Sequence, residues 1–193
     1  KANILALDKT GTITHGKPVV SDFFTTDHFQ EQDYNVIKKI EEKSEHPLAD
    51  AIVDKLKPYD EASEILHFEN IPGKGVKATA QQNKWLIGNE QFIRSADVEI
   101  PEKIAQKAQD WASKGKTIVF CVRDATIVSL IAIEDPIRPT VNNAIKKIRK
   151  KGIGVILLTG DREETAKNIA HKAGIDQYKA GLLPSEKADI IRK

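Results

Sequence analysis

The chain has 193 residues, 40% apolar and 30% charged, with a net charge of +2. That length suffices for one large domain or two small ones with real cores. No apolar run approaches the roughly 20 residues of a membrane-spanning helix, and so small a charge does not argue for nucleic acid.

The apolar run Ile4-Leu-Ala-Leu7 reads as a strand covered on both faces. It runs into Asp8-Lys-Thr-Gly-Thr-Ile-Thr14. In open parallel sheets ligands bind beyond the carboxyl ends of the strands, which puts Asp8 at an active-site edge. Residues 19–131 differ in character. Helices are predicted over 32–45, 47–56 and 101–113, and strands over 75–80, 84–87, 117–122 and 126–133, an antiparallel α+β unit. From residue 132 helices and short strands alternate. An amphipathic helix over 140–151, with Val141, Ala144, Ile145 and Ile148 on one face, stops at Gly152. A strand over 155–158 ends at Thr159-Gly160-Asp161, a helix covers 162–173, and another begins after Pro184. The basic cluster from Lys146 to Lys151 reads as a solvated helix face. Charge divides the same way, −5 over 19–131 and +7 over the rest. The expected organisation is a discontinuous parallel-sheet α/β domain, residues 1–18 and 132–193, interrupted by a second domain over 19–131.

A carboxylate at a strand end, with Lys9 beside it and the amides of Thr10 and Gly11 in a tight turn, can attack phosphorus and form an acyl phosphate while the amides hold the transferring oxygens. Thr159 and Gly160 offer a hydroxyl and an amide to the same group, and Asp161 can cap the next helix or orient nucleotide and metal. Lys187 is a candidate point charge on the phosphate. A strand-end Asp alone is as often a cap or turn former; two at βα switch points of one sheet point to chemistry. In the insert, His46 stands before Pro47 at a helix entrance, where an imidazole can stack on or hydrogen-bond an adenine. The glycines of Ile71-Pro-Gly-Lys-Gly-Val76 permit close approach of a ligand, although a β-turn explains them about as well.

Together DKTGTIT, LTGD at 158–161 and Pro184-x-x-Lys187 resemble the phosphorylation domain of P-type ATPases, members of the haloacid dehalogenase superfamily. Ser44-Glu-His-Pro-Leu48 resembles the hallmark of their heavy-metal (P1B) branch, and the likeness covers essentially the whole chain. It implies a Rossmann-like phosphorylation domain carrying an inserted nucleotide-binding domain, with ATP and Mg²⁺ as cofactors. Asp8 would be the nucleophile, Thr10 a phosphate and Mg²⁺ contact, Thr159 and Gly160 phosphate contacts, and Lys187 a charge stabiliser. Glu41, His46, Gly73, Gly75, Val76, Gly88 and Asn89 fall where that family binds ATP. Asp135-Pro136 and Arg138 match its return hinge. Hydrolytic relatives place an acid/base Asp where this chain has Thr10, so a persistent aspartyl phosphate is expected. The resemblance also implies actuator and transmembrane domains in one longer chain, a metal chaperone as partner of the intact pump, and a place on the cytoplasmic face of a membrane. Ile13-Thr-His-Gly16 is slightly more similar to copper pumps than to zinc or cadmium pumps. No methionine occurs, even at position 1, so a piece of a longer polypeptide is expected, binding nucleotide but phosphorylating itself poorly. The rival readings are a soluble phosphatase of the same superfamily and a nucleotide-binding module without chemistry. Cys121, the one cysteine, cannot form an internal disulfide and reads as a buried structural thiol in a reducing compartment.

Overall fold

The structure, a computed structural model, describes residues 3–161, 163–183, 185, 186 and 190. The chain divides into two compact units, Lys1–Lys17 with Ser113–Gly115 and Asp135–Lys193, and Pro18–Ala112 with Lys116–Glu134.

In the first unit β1 (Ile4–Asp8), β8 (Gly154–Leu158) and β9 (Gln177–Lys179) form a parallel sheet in the order β1-β8-β9. The intervening helices, α5 (Val141–Lys150) and α6 (Glu163–Ala173), bury Val141, Ile145, Ala170 and Ala173 with Val155 and Leu157. The sequence reads β1 as a strand covered on both faces. The structure corrects this: Ile4 is 62% and Leu5 37% exposed, because among the described residues β8 is the sole strand partner of β1.

The second unit is a six-stranded antiparallel sheet, β2-β7-β6-β5-β4-β3, built from β2 (Val19–Thr25), β3 (Ile65–Ile71), β4 (Gly75–Ala80), β5 (Asn83–Gly88), β6 (Thr117–Arg123) and β7 (Thr126–Glu134). The alternation of side chains along each strand feeds two cores. Val76, Ile87, Val119 and Cys121 pack under α1 (Gln32–Glu41) and α2 (Ala49–Lys55). Phe120, Val122 and Leu130 pack under α3 (Glu90–Arg94) and α4 (Glu102–Ser113). The β4-β5 and β6-β7 hairpins turn on Gln81-Gln82 and Asp124-Ala125, all at positive φ. Two consecutive residues of that hand match the twist of the flanking strands. Fold class therefore agrees with the expectation, an α/β unit plus an inserted α+β unit with an antiparallel sheet.

Four elements escape the sequence reading. Edge strands β2 and β3 carry polar residues on an apolar pattern, and α3 and β9, five and three residues long, are too short for a periodicity. Helix α1 ends at Glu41 rather than 45, where the chain turns through Glu42–Ser44.

Candidate active site

Asp8 closes β1 in register with Leu158, the last residue of β8, so the loops starting at Lys9 and Thr159 leave the sheet side by side. The Lys9 loop is irregular: Thr10 is extended, and Gly11 has φ 76. A Cβ on Gly11 would meet nothing within 4 Å, so the left-handed backbone rather than space calls for glycine. The amide of Thr14 donates to the Lys9 carbonyl at 3.0 Å and closes the loop. Asp8, Thr10, Gly11 and Thr12 are left on an exposed rim.

The Lys9 ammonium lies 2.7 Å from Asp161 Oδ2, which ties the two strand-end loops together. The sequence reading placed Lys9 beside Asp8 and left Asp161 as a cap or metal-shell residue; this ion pair was not anticipated. Thr159 is buried. Its hydroxyl accepts from the Asp161 amide at 3.1 Å, which leaves the hydroxyl proton to donate. Gly160 is exposed, 3.2 Å short of the Leu182 carbonyl for an added Cβ. Lys187 lies outside the described residues.

A second set of bonds, missed as site residues, backs the loop. The Asp135 carboxylate accepts from the buried Thr14 hydroxyl at 2.6 Å and from the Gly16 amide at 2.9 Å. Arg138 donates to the carbonyls of Thr14 at 3.0 Å and Gly11 at 3.1 Å, so a guanidinium grips the turn itself. The Asp-Pro-x-Arg spacing was the available signal, but a contact 121 residues away in sequence cannot be read from it. Asp135→Ala is expected to cost about 2 kcal/mol in urea denaturation, since it strips a charged acceptor from a buried hydroxyl.

In the second unit Gly75 and Gly88 face each other across β4 and β5. A Cβ on Gly75 would lie 2.1 Å from the Ile87 carbonyl oxygen, and one on Gly88 would lie 2.3 Å from that of Lys74. Asn89 caps α3, accepting from the Phe92 amide at 2.9 Å, while its side-chain amide donates to the Gly73 carbonyl at 3.0 Å. Its backbone amide donates to Lys74 at 2.9 Å. Gly73, Gly75, Val76, Gly88 and Asn89 are thus one corner. Next to this corner Cys121, the strand partner of Ile87, is fully buried, which pushes its thiol up to about 12. Burial alone lifts the Glu41 carboxyl to about 7. His46, five residues on, is exposed; its Nδ1 accepts from the Leu48 amide at 3.2 Å, which leaves the proton of the neutral ring on Nε2.

Among the described residues no group of three or more His, Cys, Asp or Glu is placed to hold a metal ion, and no helix is long and apolar enough to cross a membrane.

Comparison with known proteins places this geometry. The family model for haloacid dehalogenase-like hydrolases matches residues 2–193. A copper-exporting P-type ATPase of Staphylococcus aureus (strain JH9) is 37% identical over 190 residues, 98% of this chain and 23% of that protein. The chain therefore spans under a quarter of the length of that curated relative. A crystal structure of a zinc-transporting PIB-type ATPase in its E2.Pi state superposes with a TM-score of 0.82 at 28% identity, over 99% of this chain and 31% of that one. The catalytic domain of the CPx-ATPase CopB-B shares the fold, with a TM-score of 0.71 at 23% identity over 99% of this chain and 66% of that one.

Proposed function

This chain belongs to the haloacid dehalogenase-like hydrolase family, and on that premise we propose that it is the ATP-binding, aspartyl-phosphate-forming part of a metal-transporting P-type ATPase. Copper, which the 37%-identical relative exports, is the favoured cargo. The observation that carries the reading is the Asp8 loop: an exposed carboxylate at a strand end, a turn of accessible backbone amides, and Thr159-Gly160 on the adjoining strand end.

In this reading the first unit, with the first and last stretches of the chain, is a phosphorylation domain. The second, roughly residues 19–131, is a nucleotide-binding domain in which Glu41 and His46 contact the adenine end and the corner of Gly73, Gly75, Val76, Gly88 and Asn89 lines the pocket. An Asp8 carboxylate oxygen attacks the γ-phosphorus in line, the bond to the β,γ-bridging oxygen breaks, and ADP leaves with that electron pair. The amides of Thr10 and Gly11, the Gly160 amide and the Thr159 hydroxyl hold the transferring oxygens, and Lys187 is assigned the remaining positive charge. The Lys9–Asp161 pair fixes the two loops rather than reacting. Asp8 and the Thr10 carbonyl are oxygen donors of the kind Mg²⁺ takes, and the bound ion supplies charge neutralisation at the phosphoryl group. Thr10 brings no carboxylate to activate water, so the acyl phosphate outlives its formation. In the intact pump that delay serves conformational change; actuator and membrane domains, and a metal chaperone, are the partners this implies, with the catalytic part on the cytoplasmic side.

Calorimetric titration with ATP, ADP and AMP, with and without Mg²⁺, tests the reading. Affinity that tracks the adenosine end and falls about tenfold in His46→Gln supports it; ATP binding unaltered in His46→Gln removes the adenine-site assignment. Asp8→Asn is expected to reduce Mg²⁺-dependent transfer from γ-labelled ATP into acid-precipitated chain to background. Label persisting in that variant places the acceptor elsewhere.

A further inference from the structure

Helix α5 and its C-cap carry five cations, Lys146, Lys147, Arg149, Lys150 and Lys151, and no acidic residue. Its apolar side, Val141, Ile145 and Ile148, packs into the core of the first unit, and all five cations are exposed on the other side. Arg149 is held by Asp176; among the described residues no carboxylate pairs with the four lysines. Simple solvation of a helix face does not account for this, because α1, α4 and α6 each mix acids with lysines. In α5 Lys146 stands one turn from Lys150, and Lys147 one turn from Lys151, and like charges at that spacing weaken a helix. The helix dipole favours cations in the last turn, but its effect falls off there and does not reach Lys146.

We propose that the exposed face of α5 is an electrostatic docking surface for the anionic phospholipid headgroups of a membrane. The kind of cation favours lipid over a protein or nucleic-acid partner. The unpaired ones are lysines, hydrated point charges suited to a diffuse negative surface, whereas the one arginine, whose planar fork reads a single phosphate or carboxylate at two points, is engaged within the chain. Charge segregation along the chain points the same way. Residues 1–18 and 132–193 carry +7 and residues 19–131 carry −5, so the surface that attracts α5 repels the insert and orients the chain. Each lysine of an amphipathic helix brought to an anionic leaflet strengthens binding about fivefold. The proposal takes its setting from the reading of the chain as part of a membrane-embedded pump, and adds to it a direct lipid contact of the phosphorylation unit.

The test is co-sedimentation of the chain with vesicles of phosphatidylcholine alone and of phosphatidylcholine mixed with phosphatidylglycerol, at low and at physiological salt. Binding is expected to the mixed vesicles only, and to fall as salt rises, because exposed charges are screened. The double variant Lys146→Gln, Lys150→Gln should bind them about 25-fold more weakly. The control, Lys55→Gln with Lys103→Gln, makes the same change in net charge on exposed lysines of the second unit and should bind like wild type. Removing the repulsion between Lys146 and Lys150 should leave the urea midpoint no lower than wild type, which separates a lost contact from a lost fold. No binding to the mixed vesicles at low salt, equal weakening in the two double variants, or equal binding to phosphatidylcholine alone overturns the proposal. So does binding of polyglutamate through these lysines without binding of vesicles, which makes the partner an acidic protein segment. Nucleotide enters none of these readouts. ATP titration of the same protein decides the pump reading separately: vesicle binding by a chain that takes no ATP supports the lipid surface and removes that reading, and ATP binding by a chain that ignores the vesicles does the reverse.

Discussion

Gly75→Ala is expected to destabilise the second unit by about 3 kcal/mol or more and to abolish measurable ATP binding. Two costs add. The backbone of Gly75 has φ 152, which L residues rarely adopt, and forcing a side chain there costs on the order of 1–3 kcal/mol. The new methyl carbon would also sit 2.1 Å from the Ile87 carbonyl oxygen and 2.6 Å from Gly88 Cα. Both are backbone atoms of the paired strand, so nothing flexible can yield, and overpacking of this kind costs about 1–3 kcal/mol by itself. Relief requires β4 and β5 to separate at the corner where Asn89 binds Gly73 and Lys74. Gly73→Ala is the control. Its φ is 71, but a Cβ there meets nothing within 4 Å, so only the left-handed strain of about 1–2 kcal/mol is expected. Urea denaturation of the two variants checks the contrast; equal losses would show that the close Gly75–Gly88 approach is not what glycine is there for.

Glu41→Gln is expected to stabilise the fold at pH 8 by up to about 3 kcal/mol and to leave it nearly unchanged at pH 4. The folded carboxyl titrates near 7 against an ordinary value of 4.5, because burial disfavours its charged form. Below the ordinary value the group is neutral in both folded and unfolded chains and exacts nothing. As pH rises from there the unfolded chain ionises first, so wild type loses stability, and the loss is complete once the folded carboxyl ionises above 7. The interval between the two values corresponds to about 3 kcal/mol. Glutamine cannot ionise and escapes it. Denaturation midpoints of both proteins from pH 4 to 8 check this; a difference independent of pH would mean that Glu41 is solvated in the native state.

Much of this was legible in advance because local patterns carry it. The alternation of β-branched and aromatic residues marks β6 and β7, the 3.6-residue spacing of Val141, Ile145 and Ile148 marks α5, and a strand ending in Asp-Lys-Thr-Gly-Thr marks the irregular loop at the sheet edge. β2 and β3 were not legible, since their strand character comes from pairing with β7 and β4 rather than from composition. The ion pair of Lys9 with Asp161 and the Asp135–Thr14 bond were hidden for the same reason: each joins residues more than a hundred positions apart.

By itself, then, the sequence determined the fold class, the interruption of one unit by another, and which residue types stand at each strand end, because periodicity and turn chemistry are local. Tertiary structure alone decided which of those residues meet and in what state. It made the facing pair Gly75 and Gly88 a steric requirement, and it made an ordinary-looking glutamate an acid that holds its proton near neutrality. Contact distance and desolvation depend on what the chain brings together around a group, and no single stretch of sequence contains them.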